Sequence, residues 1–105
     1  MEKLEFEFRG HGASLAEPRP VLVGVVASGN LEVLMEPASL QGGCRVVVNT
    51  AARGFGNIWQ AVLEDFINRH EVADLSIAIN DAGATPAVVS LRLDQALEEY
   101  QGAAS

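Results

Sequence analysis

Few side chains in this sequence have the chemistry to carry a reaction or a cofactor. Ser28, followed by Gly29, stands between two apolar runs, so its hydroxyl falls in a turn. A group can be attached there, and the glycine lets another protein's backbone come close. Serine is also an ordinary turn former, and on the residues alone that is the more frequent case. A catalyst would need a nucleophile with its base, paired carboxylates or a metal set. His11, Cys44 and His70 are far apart and lack zinc-site spacing. A set of Ser28, His70 and an aspartate lacks the Gly-x-Ser-x-Gly frame that would expose the serine as a nucleophile. Glu98 and Glu99 are adjacent on a predicted helix, point apart and read as a solvated face. A second candidate is Arg53-Gly-Phe-Gly-Asn57, where a cation and free backbone N–H groups ahead of a helix could receive an anion. A plain capping loop has the same composition, and Phe55 reads there as a core plug.

These residues must be held by elements, and the periodicity predicts them. Val21–Ala27 is apolar and uncharged, and Leu31, Val33 and Met35 then alternate with glutamates as far as Glu36, which is a hairpin signature. With Gly29 and Asn30 as a two-residue type II′ loop, Ser28 would face Leu31, Val26 would face Val33, and Gly24 would face Met35. Leu4, Phe6 and Phe8 predict an earlier strand, His11 to Pro20 a loop, and Arg45 to Asn49, with Val46, Val47 and Val48 in succession, a short strand buried on both faces. A helix follows, capped by Asn57, with Trp59, Val62, Leu63, Phe66 and Ile67 on one side. Leu75, Ile77 and Ile79 form another strand. Thr85 and Pro86 then open a second helix with a Val89, Leu93, Ala96, Leu97, Tyr100 stripe, and residues 102–105 read as a frayed tail. The expectation is an α+β fold of two layers, a mainly antiparallel sheet with a central β-hairpin and two covering helices.

The chain has 105 residues, which predicts a single domain over residues 1–105. One cysteine permits no disulfide framework and fits a reducing, cytoplasmic setting, with Cys44 half-buried at a strand start. No run of ~18 apolar residues predicts a membrane span. Fourteen acidic and seven basic residues give a net charge of −7, with the basic ones scattered singly, which argues against nucleic acid as a partner. An acidic surface steers a small domain toward positively charged faces of larger proteins, and it also simply keeps a chain soluble.

The segment Val23-Gly-Val-Val-Ala-Ser-Gly-Asn-Leu-Glu-Val-Leu-Met-Glu-Pro37 resembles the attachment segment of the malonate decarboxylase acyl carrier (delta-subunit) family. The likeness extends to the acidic, aromatic first strand, to Arg53-Gly-Phe55 before the Trp59 helix, and to Gly83-Ala-Thr-Pro-Ala-Val-Val89. A shorter stretch, serine followed by Asn30 and an apolar strand ending in Glu-Pro, is similar to the citrate lyase acyl carrier. The first family often carries aspartate where this chain has Asn30. The Asp-Ser-Leu motif of the helical carriers of fatty acid synthesis is absent.

The resemblance implies that Ser28 bears, through a phosphodiester, a 2′-(5″-phosphoribosyl)-3′-dephospho-CoA group ending in a thiol, which carries acetyl and malonyl thioesters. Gly29 would serve as the turn residue beside it, and Arg53 as a lesser contact. The chain itself would be non-catalytic. Implied partners are a transferase subunit that exchanges acetyl for malonyl, carboxylyase subunits, a prosthetic-group transferase and a malonyl transferase, in the cytoplasm. A thioester carbonyl delocalises the charge left by loss of carbon dioxide far better than a free carboxylate does, and tethering raises the local concentration at each active site. The alternative from another class is a non-covalent binding or structural subunit of a cytosolic complex.

Overall fold

The computed structural model describes residues 1–103. Five strands and two helices follow one another as β1 (Glu2–Phe8), β2 (Val21–Gly24), β3 (Leu31–Pro37), β4 (Cys44–Thr50), α1 (Gly56–Arg69), β5 (Leu75–Asp81) and α2 (Pro86–Ala103). The sheet order is β1-β4-β5-β3-β2. β4 and β5 run parallel, joined by the α1 crossover that a parallel pair requires, and the other three pairings are antiparallel. The fold is the expected α+β arrangement, with β5 at the middle of the sheet and the β2–β3 hairpin along one margin.

Register explains the single core. The row Leu4–Val48–Ile79–Val33–Val23 crosses all five strands in pairing order, and Phe6–Val46–Ile77–Met35–Val21 runs beside it. Pleating puts both rows on one face. Onto that face α1 lays Trp59, Leu63, Phe66 and Ile67, and α2 lays Val89, Leu93, Ala96, Leu97 and Tyr100, all buried. The stripes read from the sequence are therefore the stripes that pack, with Val62 half-buried at the edge. Phe66 is fully enclosed, and truncating such a side chain to alanine costs about 3–5 kcal/mol. Thr85 caps α2 as expected, its hydroxyl accepting from Val88 N–H at 3.3 Å, with Pro86 in the first helical position. Among the described residues no helix is long and apolar enough to cross a membrane.

The hairpin departs from the expected pairing. Val21 faces Met35, Val23 faces Val33 and Gly24 faces Glu32, a shift of three residues. An odd shift exchanges the faces: Val21 and Val23 point into the core, while Leu22 is turned out and 58% exposed. Gly24 is the cause. At φ +93° its α-carbon lies so close to Leu31 that an added Cβ would stand 2.2 Å from the Leu31 carbonyl oxygen. Val25 N–H donates to that oxygen at 3.1 Å and closes the ladder, three residues before the serine.

Five smaller expectations are also corrected. β4 is closed on one face only, since Arg45 is exposed and Val47 half-buried. Cys44, at its start, is buried outright. Phe55 rather than Asn57 is the residue before α1; it offers no side-chain cap and is 46% exposed, so it plugs nothing. Finally, α2 continues through Gly102 and Ala103 where a frayed tail was expected, because Tyr100 anchors its last turns; the rest of that tail, residues 104–105, lies outside the described residues.

Candidate functional site

Ser28 lies on a six-residue loop, residues 25–30, at the end of the sheet where β5 finishes. Within it Ala27–Asn30 forms a β-turn, with Asn30 N–H donating to the Ala27 carbonyl at 2.8 Å. Gly29 has φ +75°. It holds the second central position, where a type II turn demands positive φ, and Ser28 the first. The type II′ expectation thus named the right glycine and the wrong slot. Ser28 is exposed, and among the described residues its hydroxyl has no hydrogen-bond partner. Nothing lies within 4 Å of where a Gly29 Cβ would stand, so the ground beside the hydroxyl is open.

The loop is outside the sheet ladder, yet it is fixed. Gly29 N–H donates to the Ala82 carbonyl, and Ala82 N–H donates to the Asn30 carbonyl, both at 2.9 Å. Ala82 follows Asp81, which is the knot of this end of the molecule. The Thr50 hydroxyl donates to Asp81 Oδ2 at 2.8 Å, Ala84 N–H to Oδ1 at 2.9 Å, and Ala51 N–H to the Asp81 carbonyl at 3.0 Å. Thr50 is 0% and Asp81 5% exposed, and a carboxylate so buried is tolerable because both oxygens have donors. Three loops, those carrying Ser28, Arg53 and Gly83, are thereby tied to one point. Sequence reasoning did not single out Asp81 or Thr50. The available signal was an aspartate three residues before Ala84 at a strand end, the spacing at which its side chain can bond the backbone ahead.

Arg53 stands in the loop between β4 and α1, at the same end as Ser28. It is exposed, and its guanidinium has no partner among the described residues. The next amide is taken: Gly54 N–H donates to Glu2 Oε1 at 3.3 Å. An anion arriving there would meet the Arg53 cation but would compete with the chain's own carboxylate for that N–H.

The structure does not bring the other reactive side chains to Ser28. His70 follows the far end of α1, where its Nε2 lies 3.0 Å from Asp94 Oδ1 and Arg69 bonds Asp65 and Asp94. That cluster precedes β5 whereas the Ser28 loop meets the residue after it, and seven strand residues span roughly 20 Å. Burial pushes the Cys44 thiol up to about 12, so near neutrality it is protonated and a poor nucleophile. Among the described residues no group of three or more His, Cys, Asp or Glu could hold a metal ion. Glu98 and Glu99 are both exposed.

The Ser28 hydroxyl is thus presented with no base beside it among the described residues. Residues 18–100 match the family model described as malonate decarboxylase delta subunit (MdcD). The chain is 61% identical over 98 residues to the malonate decarboxylase acyl carrier protein of Stenotrophomonas maltophilia (strain K279a), covering 93% of this chain and 92% of that one. It is 60% identical over 99 residues to that of Burkholderia cepacia, covering 94% and 90%. Its fold superposes with a TM-score of 0.83, at 41% identity, on a chain of a Pseudomonas malonate decarboxylase hetero-tetramer crystallised in complex with malonate, covering 95% of this chain and 99% of that one. The family model over most of the chain, the shared fold and relatives along nearly the full length give one result: this chain belongs to the malonate decarboxylase acyl carrier, or delta-subunit, family.

Proposed function

We propose that Ser28 is the attachment point of the carrier, bearing through a phosphodiester a 2′-(5″-phosphoribosyl)-3′-dephospho-CoA group, and that residues 1–105 form one non-catalytic carrier domain. The observation that carries this is the free, exposed Ser28 hydroxyl on a loop outside the ladder, in a member of a family of acyl carriers. The residues fit such a group: the turn leaves room beside Gly29, and no side chain among the described residues bonds the Ser28 oxygen. The group supplies a thiol on which acetyl and malonyl units travel as thioesters. The chain supplies position. Gly29 sets the turn, the Ala82 bonds keep its base still, and Arg53 offers a cation to the group's phosphates or to a partner's acidic edge.

In this reading the carrier serves a transferase subunit and carboxylyase subunits in the cytoplasm, and it is loaded by a prosthetic-group transferase and a malonyl transferase. Support for an assembled partnership is the hetero-tetramer to which the similar Pseudomonas chain belongs. Its own acidic surface, with a net charge of −7, favours basic docking faces.

Intact mass and peptide mapping of protein from its native host test the assignment. The added mass should lie on the Ser28 peptide, and Ser28→Ala should abolish both that mass and malonate decarboxylation by the reconstituted complex. Stability should fall by at most ~1 kcal/mol, since the hydroxyl is unbonded. Ser14→Ala and Ser39→Ala should keep both. Full activity in the Ser28 variant would leave a non-covalent or structural subunit as the reading.

A further inference from the structure

A pocket of ≈ 220 Å³ opens between the first turns of α1 and α2, at the end of the sheet that holds the Ser28 loop. Phe55, Ile58, Trp59 and Val62 wall it on one side, and Pro86 and Val89 on the other. Ala52, Gly83 and Ala84 also line it, and residues this small leave the space unfilled. Phe55 and Ile58 stand 46% exposed. Large apolar side chains held open to solvent beside an apolar recess have a reason to be there when something covers them.

Three observations together identify the occupant. The pocket adjoins the Ser28 loop: Ala82 bonds that loop through both its N–H and its carbonyl, and its two neighbours, Asp81 and Gly83, line the pocket. Its volume exceeds the ~150 Å³ that admits a benzene-sized guest and falls short of the ~300–1,000 Å³ of drug-sized sites. A short, slender chain fits, and a nucleotide does not. The lining has no cation, and its one ionisable member is Asp81, already engaged by Thr50 and Ala84. A further carboxylate placed there would lose its hydration beside a like charge.

We propose that this pocket is a resting site for the uncharged end of the arm on Ser28, holding the acetyl thioester and its adjoining thiol stem and leaving the malonyl form outside. The proposal rests on the carrier reading. It gives the carrier a part in the order of events: the acetyl form left by decarboxylation is shielded from water until its exchange, and the malonyl form stays extended toward the partner that consumes it.

Trp59 is the chain's one tryptophan and forms part of the wall, so its emission reports occupancy. Titrating the unmodified chain with acetyl-S-N-acetylcysteamine should change that emission saturably, with the malonyl analogue binding at least tenfold more weakly. Ile58→Glu, a change at an exposed position checked by circular dichroism and Tm, should weaken the acetyl compound tenfold or more. On modified protein, with its added mass first confirmed on Ser28, acetylating the thiol should shift Trp59 emission and malonylating it should not. No shift on acetylation of that confirmed protein overturns the pocket and leaves the carrier reading intact. An equal response to both acyl groups overturns the exclusion of malonyl. Absence of any mass on Ser28 defeats the carrier reading itself, and the titration of the unmodified chain then decides for or against the pocket alone.

Discussion

Asn30 Oδ1 accepts from Arg92 Nε at 3.2 Å and from Leu31 N–H at 2.8 Å, fastening the foot of the Ser28 turn to α2. The amide oxygen does what a carboxylate would do in the same place. Asn30→Asp should turn the contact with Arg92 into a charge-assisted bond and stabilise the fold by about 0.5–1 kcal/mol. Arg92→Ala should lose a similar amount and speed hydrogen exchange over residues 28–30. Urea unfolding in a double-mutant cycle measures the coupling, and a value near zero would mean the bond adds no stability.

Two glycines on the hairpin should behave differently. Gly29→Ala meets only the strain of positive φ, about 1–2 kcal/mol, because nothing occupies the space its Cβ would enter. Gly24→Ala adds to comparable strain a backbone collision with the Leu31 carbonyl, so it should be the more destabilising of the two. Equal losses in denaturant titrations would show that the close approach at Gly24 is not held in solution.

Asp74 gives the stability profile an acid limb. A hydrogen bond from Ser14, then bonds from the backbone N–H groups of Gly42 and Leu40, hold its carboxyl below the ordinary value. The folded value lies under the unfolded one, so this contribution is complete above the unfolded pKa and is lost as pH falls through the folded one. Asp74→Asn, which tolerates the φ of +54° at this position, should flatten part of the decline in Tm below pH ~4. An unchanged acid limb would place its origin in other carboxylates.

Thiol counting separates bare from loaded protein. Cys44 is the chain's one cysteine, and burial with a pKa near 12 keeps it from reacting at pH 8. Native unmodified chain should therefore show no fast thiol toward an aromatic disulfide reagent, and carrier loaded on Ser28 should show one. Denaturation should reveal one further thiol in each. A fast thiol in the unmodified chain would mean that β4 opens readily at its first residue.

The element order, the apolar stripes of both helices and the turn that holds Ser28 and Gly29 were all legible in the sequence, because each depends on local spacing. Trp59 to Ile67 and Val89 to Tyr100 repeat with the helical period, and Thr85-Pro86 carries its own capping chemistry. What the sequence could not settle was the outcome of contacts between distant segments. A two-residue turn at Gly29-Asn30 satisfies local rules, yet the chain leaves the ladder at Gly24. There the Leu31 carbonyl lies too close for a side chain, and Ala82, more than fifty positions away, offers the loop better hydrogen bonds. The knot at Asp81 arises in the same way. Its partner Thr50 lies 31 residues back and comes within 2.8 Å only because β4 and β5 pair in parallel. The local pattern chose strands and helices, and strand pairing chose the register, the loop that carries Ser28 and the recess beside it, since those depend on backbone groups that meet only when the sheet is assembled.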